Sequence, residues 1–179
     1  TNDANQLGEF FKYVYNNNNE LLYKAGVDFV FKFNNLEGDD IIAITKNFLR
    51  EKYKETPIYI VANDHDYLQL LDDNSYIINF QNKNLLDNNK VFTNAEKNLF
   101  YKIILGDKSD NIGPVFKKCG PKTVENYYNN QNLLNEAFNK NPESYETYLK
   151  NKKLISFSEI PEDLIEGFIE NNFDIFNSL

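Results

Sequence analysis

Apolar positions along this chain recur first at helical spacing, then at strand spacing, then at helical spacing again. Phe10, Phe11, Val14, Leu21 and Leu22 fall on one helical face and predict an opening helix, broken near the asparagine tract at 16–19. Val27, Phe29, Phe31 and Phe33 alternate with Asp28, Val30 and Lys32, a period of two that predicts a strand. Ile41, Ile42, Ile44, Phe48 and Leu49 predict a helix over about 39–54, with Pro57 beyond it as a stop. The run Ile58-Tyr59-Ile60-Val61-Ala62 is continuously apolar and predicts a strand buried on both faces, as in a parallel sheet. Strand, helix and strand in that order make a crossover unit.

A short helix at 68–71, a strand at 76–80, a polar loop through Asn89 and a small strand at Val91 and Phe92 complete the predicted sheet region. From Asn94 the pattern is helical. Thr93 is placed to cap a helix running to about Leu105, and further helices are predicted at 123–128, 133–138, 144–150 and 162–170, the last announced by Pro161. The pattern predicts an α/β body followed by a helical region, divided into 1–93 and 94–179.

With 179 residues, 41% of them hydrophobic, the chain can bury one sizeable core, and two full domains would be cramped. No apolar run approaches the roughly 20 residues of a membrane span, and no export signal is evident at the start, so a soluble intracellular protein is expected. One cysteine, Cys119, excludes a disulfide framework, and with one histidine, His65, it excludes a Cys/His zinc cage. Any metal must therefore be held by oxygen. Asparagine and lysine are abundant and Arg50 is the single arginine, a bias that reads as nucleotide composition rather than function. The lack of methionine implies that the natural start lies outside residues 1–179.

The net charge of −8 argues at face value against nucleic acid, whose phosphates call for a basic surface. Much of that charge, however, lies in three clusters: Glu37-Gly38-Asp39-Asp40, Asn63-Asp64-His65-Asp66 and Gly106-Asp107-Lys108-Ser109-Asp110-Asn111. Divalent cations would cancel it locally. Lys117, Lys118 and Lys122 gather beside the turn Cys119-Gly120-Pro121-Lys122-Thr123, either as a phosphate-binding patch or as a solvated loop.

Asp64 and Asp66 follow a predicted strand, where α/β sheets present their ligands, and Glu37, Asp39 and Asp40 stand at a predicted helix start whose dipole eases their repulsion. Asp107 and Asp110 are three apart, near neighbours on a helical turn. Hard carboxylate oxygens suit Mg²⁺ or Mn²⁺, and a pair of such ions suits phosphodiester hydrolysis. Taken singly, each cluster also fits a plain solvated helix start, a turn or a cap. His65 reads as a structural or outer-lying residue, Cys119 as packing, and Tyr127 or Tyr128 as core or as a surface on which a base could stack.

Glu37-Gly38-Asp39-Asp40-Ile41-Ile42 resembles the Glu-Ala-Asp-Asp motif of the flap endonuclease and 5′-3′ exonuclease superfamily, in its bacterial polymerase-linked and phage ribonuclease H branch. Asn63-Asp64-His65-Asp66-Tyr67-Leu68-Gln69-Leu70 resembles its Gly-Asp-Lys-Asp-x-x-Gln-Leu stretch, Gly106-Asp107-Lys108-Ser109-Asp110-Asn111-Ile112 its Gly-Asp-x-Ser-Asp-Asn-Ile signature, and Gly120-Pro121-Lys122-Thr123 the hairpin that follows. The resemblance covers about residues 20–165, the C-terminal part of the nuclease domain. It implies a PIN-like, mainly parallel sheet flanked by helices, with a C-terminal helix-hairpin-helix region.

By resemblance, Glu37 and Asp39, with Asp40 nearby, serve one metal ion, and Asp64, Asp66, Asp107 and Asp110 serve a second. Glu37, Asp39, Asp64, Asp66 and Asp107 form the implied catalytic set. Lys117, Lys118, Gly120, Lys122 and Thr123 form the implied DNA grip, with a monovalent cation such as K⁺ at the hairpin. Gly38 and Asn63 stand where the family has Ala and Gly, and Lys118 where it has the first hairpin glycine. Family members also carry earlier aspartates and a basic arch, so the missing N-terminal portion of the same polypeptide is an implied partner.

The activity implied is structure-specific 5′-nuclease cleavage of branched, flapped or primer-bearing DNA, with no membrane partner. The rivals are a non-catalytic DNA-binding remnant and a PIN-like ribonuclease, the latter ordinarily without the Gly-Pro-Lys hairpin.

Overall fold

The computed structural model describes residues 2–88 and 91–178. Helix α1 (Asn2–Lys24) runs unbroken through the asparagines, against the predicted break. Asparagine costs a helix only a fraction of a kcal/mol per residue, and the Asn17 amide donates to the Tyr13 carbonyl one turn back at 2.9 Å. Glycine ends the helix instead. Gly26 takes φ 90°, and the Gly26 and Val27 amides close back on the Tyr23 and Leu22 carbonyls at 3.0 Å in a Schellman stop.

Residues 27–33 lie in no helix or strand, and a turn follows at 34–35 where Asn35 takes φ 64°, which corrects the strand predicted over 27–33. The alternation is real, yet its partner is helical. Phe31 stacks on Phe176 with ring centroids 5.5 Å apart, and Phe33 meets Phe168 edge-on at 5.9 Å. That segment leads into α2 (Gly38–Lys52). Strand β1 (Ile58–Val61) then lies parallel to β2 (Ser75–Ile78), Ile58 opposite Ser75 and Val61 opposite Ile78, with a 3₁₀ turn at His65–Leu70 on the crossover.

β1 is not buried on both faces. Ile60 and Ala62 point into the core, whereas Tyr59 and Val61 are 60% and 62% exposed, and Tyr59 stacks on Tyr76 of β2 across the open face at 5.1 Å. The predicted strand at Val91 and Phe92 is irregular chain, because the Asn98 side chain takes the place of a strand partner: it accepts from Phe92 N at 3.0 Å and donates to Phe92 O at 2.7 Å. The loop position Asn89 lies outside the described residues.

Helices follow at α3 (Ala95–Leu105), α4 (Pro121–Asn129), α5 (Gln131–Lys140), α6 (Pro142–Ile155), α7 (Glu162–Asn171) and α8 (Phe173–Ser178). Asn94, not Thr93, caps α3, its side chain accepting from Lys97 N at 2.8 Å. The sequence pattern did not predict α8.

Three buried clusters hold these elements. One joins β1, β2 and the 3₁₀ turn through Ile60, Ala62, Leu68 and Ile77. Another joins α3, α4 and α5 through Phe100, Ile104, Val124, Leu134 and Phe138. The last carries α7 and α8 back onto α2 through Ile41, Ile44, Phe168 and Phe176. The architecture is thus a small parallel sheet with helices, followed by a larger helical region. No helix among the described residues is long and apolar enough to cross a membrane.

Asp72 ties α2 to the loop ahead of β2. Its carboxylate meets Lys46 Nζ at 2.7 Å and Arg50 Nε at 2.9 Å, while Arg50 Nη1 also donates to the Tyr53, Lys54 and Thr56 carbonyls. Burial alone would raise this carboxyl, but hydrogen bonds from Lys46, Ser75, Arg50 and the Asn74 amide outweigh it and hold the group well below its ordinary 3.8. A carboxylate depressed in the fold contributes stability above its unfolded value, and that contribution is lost as pH falls through the folded one. Urea unfolding measured from pH 7 down to pH 3 is therefore expected to show wild-type stability declining below about pH 4, and Asp72→Asn to lack that part of the decline. Equal slopes for the two proteins would remove Asp72 from the account.

Candidate active site

Acids from separate stretches line one cavity of about 720 Å³: Glu37, Asp39 and Asp40 at the start of α2, Asp64 and Asp66 just after β1, and Asp110 from the loop after α3. The far wall comes from the end of α6 and the turn beyond it, including Lys153, Ser156 and Glu159. Asp107 stands on the adjoining face with Asp64, Lys102 and Ser109. Oxygens of Asp66, Asp107 and Asp110 all lie within 4.8 Å of one another.

Local rules explain each placement. Glu37 N donates to Asp40 Oδ2 at 3.0 Å, the return half of a capping box, and Asp40 N donates to Asp39 Oδ1 at 3.0 Å. Asp64 caps the 3₁₀ turn by accepting from Asp66 N at 2.9 Å, which leaves the carboxylates of Asp64 and Asp66 at the carboxyl end of β1. Asp40 and Asp64 thus serve as caps as well as cavity walls. Tyr67, buried behind them, has its phenol pushed up first by burial and then by the nearby charges of Asp39 and Asp64.

The third stretch is a pinched loop. Asp107 and Ile112 exchange backbone hydrogen bonds at 3.0 and 2.7 Å, and Asn111 turns the chain with φ 59°. Ser109 N donates to Asp107 Oδ1 at 2.8 Å. Gly106 is required here: it takes φ 74°, and a Cβ would sit 2.6 Å from the Gly113 carbonyl. Asn151 of α6, buried, donates to the carbonyls of Ile103 and Gly113 at 3.0 and 2.8 Å and so holds the base of the loop against α3.

Lys102, in the last turn of α3, is the cation that forms ion pairs with these acids among the described residues. It pairs with Asp66 and lies 2.6 Å from Asp107 Oδ2. Hydrogen bonds from Lys102 and then Ser109 hold the Asp107 carboxyl well below the usual range, despite its partial burial. Asn151 and Lys102 were not among the residues predicted from sequence. The signal for Lys102 was its place in a helix C-terminal turn five residues before Asp107. Gln69, a motif position given no role from sequence, joins the 3₁₀ turn to the end of α6, donating to Ile155 O at 2.9 Å and accepting from Phe157 N at 3.1 Å.

The same loop continues to the hairpin. Gly120 caps α4, its carbonyl accepting from Thr123 N and Val124 N at 2.9 and 3.1 Å, with Pro121 at the first helical position. Lys117, Lys118 and Lys122 are exposed and enter no ion pair among the described residues; Thr123 is half-buried. α4 is fixed to α3 by Lys97, which meets Glu125 at 2.8 Å over the ring of Phe92, and by Tyr101, whose hydroxyl bonds Glu125. Tyr127 packs on Phe116 and Tyr128 on Phe100, so both belong to the core. Cys119 is also packed there, and burial pushes its thiol up. His65 is exposed.

Residues 8–96 match the family described as 5′-3′ exonuclease, N-terminal resolvase-like domain. A 5′-3′ exonuclease of Mycoplasmopsis pulmonis (strain UAB CTIP) is 35% identical over 112 residues, which cover 59% of this chain and 36% of that protein. By the match over residues 8–96 the chain belongs to the 5′-3′ exonuclease superfamily. Among solved structures, a bacteriophage T5 protein co-crystallised with metal ions superposes on this superfamily member with a TM-score of 0.72 at 20% identity, over 98% of this chain and 72% of that one. The T5 flap endonuclease in a pseudo-enzyme–product complex with DNA and metal ions superposes with a TM-score of 0.70 at 17% identity, over 99% of this chain and 72% of that one. At such identities the likeness is one of fold, and the matched stretch spans about a third of the length of the curated exonuclease.

Proposed function

We propose that this chain is the metal- and DNA-binding part of a structure-specific 5′-nuclease that hydrolyses phosphodiesters of flapped, branched or primer-bearing DNA. The convergence of seven acids from three stretches on one cavity and its adjoining face carries this reading. The donor set fits hard divalent ions, since the group that Asp66, Asp107 and Asp110 form among the described residues offers carboxylate oxygens alone. Glu37, Asp39 and Asp40 would hold one Mg²⁺ or Mn²⁺, and Asp64, Asp66, Asp107 and Asp110 a second. When bound, such a pair lowers the pKa of attacking water and offsets charge on the leaving oxygen.

The chain's own residues do the positioning. Ser109 and the pinched backbone hold Asp107 in one orientation, and Asp64 is fixed by its cap to Asp66 N. The hairpin at Lys117, Lys118, Gly120, Lys122 and Thr123 would grip duplex backbone, with its carbonyls toward a monovalent cation such as K⁺. In this reading residues 94–179 carry the grip and residues 1–93 most of the acids. Sequence outside residues 1–179 of the same polypeptide would complete the nuclease.

Cleavage of 5′-flap, nicked and single-stranded DNA and of single-stranded RNA, assayed with Mg²⁺ on the full gene product, tests the proposal. Cutting near the 5′ end of flapped or nicked DNA is expected. Binding without cutting would leave only a DNA-binding module, and cutting confined to RNA would point to a ribonuclease. Lys122→Ala is expected to weaken duplex binding evenly across sequences and to lower the slope of log affinity against log salt by about 1. An unchanged slope would remove Lys122 from the grip.

A further inference from the structure

Lys102 joins two carboxylates that the proposed function gives to a metal ion. Its ammonium is paired with Asp66 and lies 2.6 Å from Asp107 Oδ2. The same two residues, with Asp110, offer oxygens within 4.8 Å of one another. An ammonium and a divalent ion therefore compete for the same two carboxylates. We propose that Lys102 is a built-in counter-cation, held between Asp66 and Asp107 in the metal-free protein and displaced when a divalent ion binds those carboxylates. This rests on the metal reading of the site given above.

Charge and coordination both require the displacement. A hard divalent ion draws its oxygens to about 2.0–2.6 Å, which gathers the carboxylates that now accept from Lys102 around the ion instead. It also repels a neighbouring ammonium, and at this separation, within a partly buried site, salt screens little of that repulsion. The lysine is built to give way. Its side chain is 21% exposed on a flexible four-carbon stem. It borders two open spaces, one beside Asp64, Asp107 and Ser109, the other beside Leu68, Phe92 and Leu105. An arginine fork in two-point contact with each carboxylate would resist release far more strongly.

Without the ammonium, two adjacent carboxylates would face one another uncompensated in the metal-free state. Lys102 thus keeps the cluster folded when metal is scarce, and it does so by weakening metal affinity. A lysine that only braced α3 would have no reason to oppose the ion.

The test is a Mn²⁺ titration, followed by calorimetry and by the electron paramagnetic resonance of free Mn²⁺, on the full gene product and its Lys102→Met, Lys102→Arg and Asp66→Asn variants. Lys102→Met is expected to bind the ion at this site at least about 10-fold more tightly than wild type, because the competing positive charge is gone. Lys102→Arg should return the affinity to wild type or below. In chelator, Lys102→Met should melt below wild type, and saturating Mn²⁺ should close that gap. Equal or weaker binding by Lys102→Met, while Asp66→Asn still loses the ion, overturns the proposal and leaves the metal site standing. No Mn²⁺ uptake by any of the four proteins overturns the metal reading itself, and this proposal with it.

Discussion

Asp66→Asn is expected to lower DNA cleavage by the full gene product in Mg²⁺ by about 10²- to 10³-fold, the scale on which one preorganised charge-stabilising group counts in a transition state. The substitution is isosteric and removes a full negative charge from the centre of the cluster, between Asp64 on its own turn and Asp107 and Asp110 on the loop after α3. It also leaves the Asp66 amide free to cap as before, since that bond runs from the backbone to Asp64. Melting should therefore shift by no more than a few degrees while the rate collapses. A variant that cuts flapped DNA at the wild-type rate would show that Asp66 holds no ion needed for the reaction.

Phe168→Ala is expected to produce the largest stability loss, about 3–5 kcal/mol. The ring is wholly inaccessible and meets Phe31 at 5.6 Å, Phe33 at 5.9 Å and Phe176 at 5.6 Å. Removing it opens a cavity where α2, α7, α8 and the segment ahead of α2 meet. For a chain of this size each kcal/mol is worth about 2–4 °C of melting temperature, so a fall of about 6–20 °C should appear by calorimetry. Phe173→Ala, at a ring 59% exposed, is the control and should move the midpoint by only about a degree or two. If the two variants melt alike, the third core cluster is not what holds the C-terminal helices to α2.

How much of this was legible in the sequence depended on range. The helix at 38–52 and the helices after 94 were readable because their apolar spacing and their stops are local: Pro57 beyond one, Pro161 before another. The acids were readable as three ordered clusters, and the structure brings them to one cavity and the face beside it. Phe31 and Phe33 were misread because alternation reports that one side is buried, not what buries it. Here two phenylalanines some 140 positions later do so, which no window along the chain contains. Tyr59 and Val61 were assigned to the interior because an apolar run does not say whether a second layer lies over it. Lys102 and Asn151 are not legible for a related reason: each is an ordinary polar residue on a helix, made specific only by what stands opposite it, whereas Gln69 is legible only as a motif position and not as the brace it forms.

The open face of the two-stranded sheet has a practical side. Tyr59 and Val61 put aromatic and branched side chains into solvent, and among the described residues β1 pairs with β2 alone, so its other edge has no strand beside it. Unpaired apolar edges of this kind seed sideways association between molecules. Concentrated samples of the 179-residue polypeptide should cloud before dilute ones do, and a lysine written in at position 61 is the simplest change that would keep them clear.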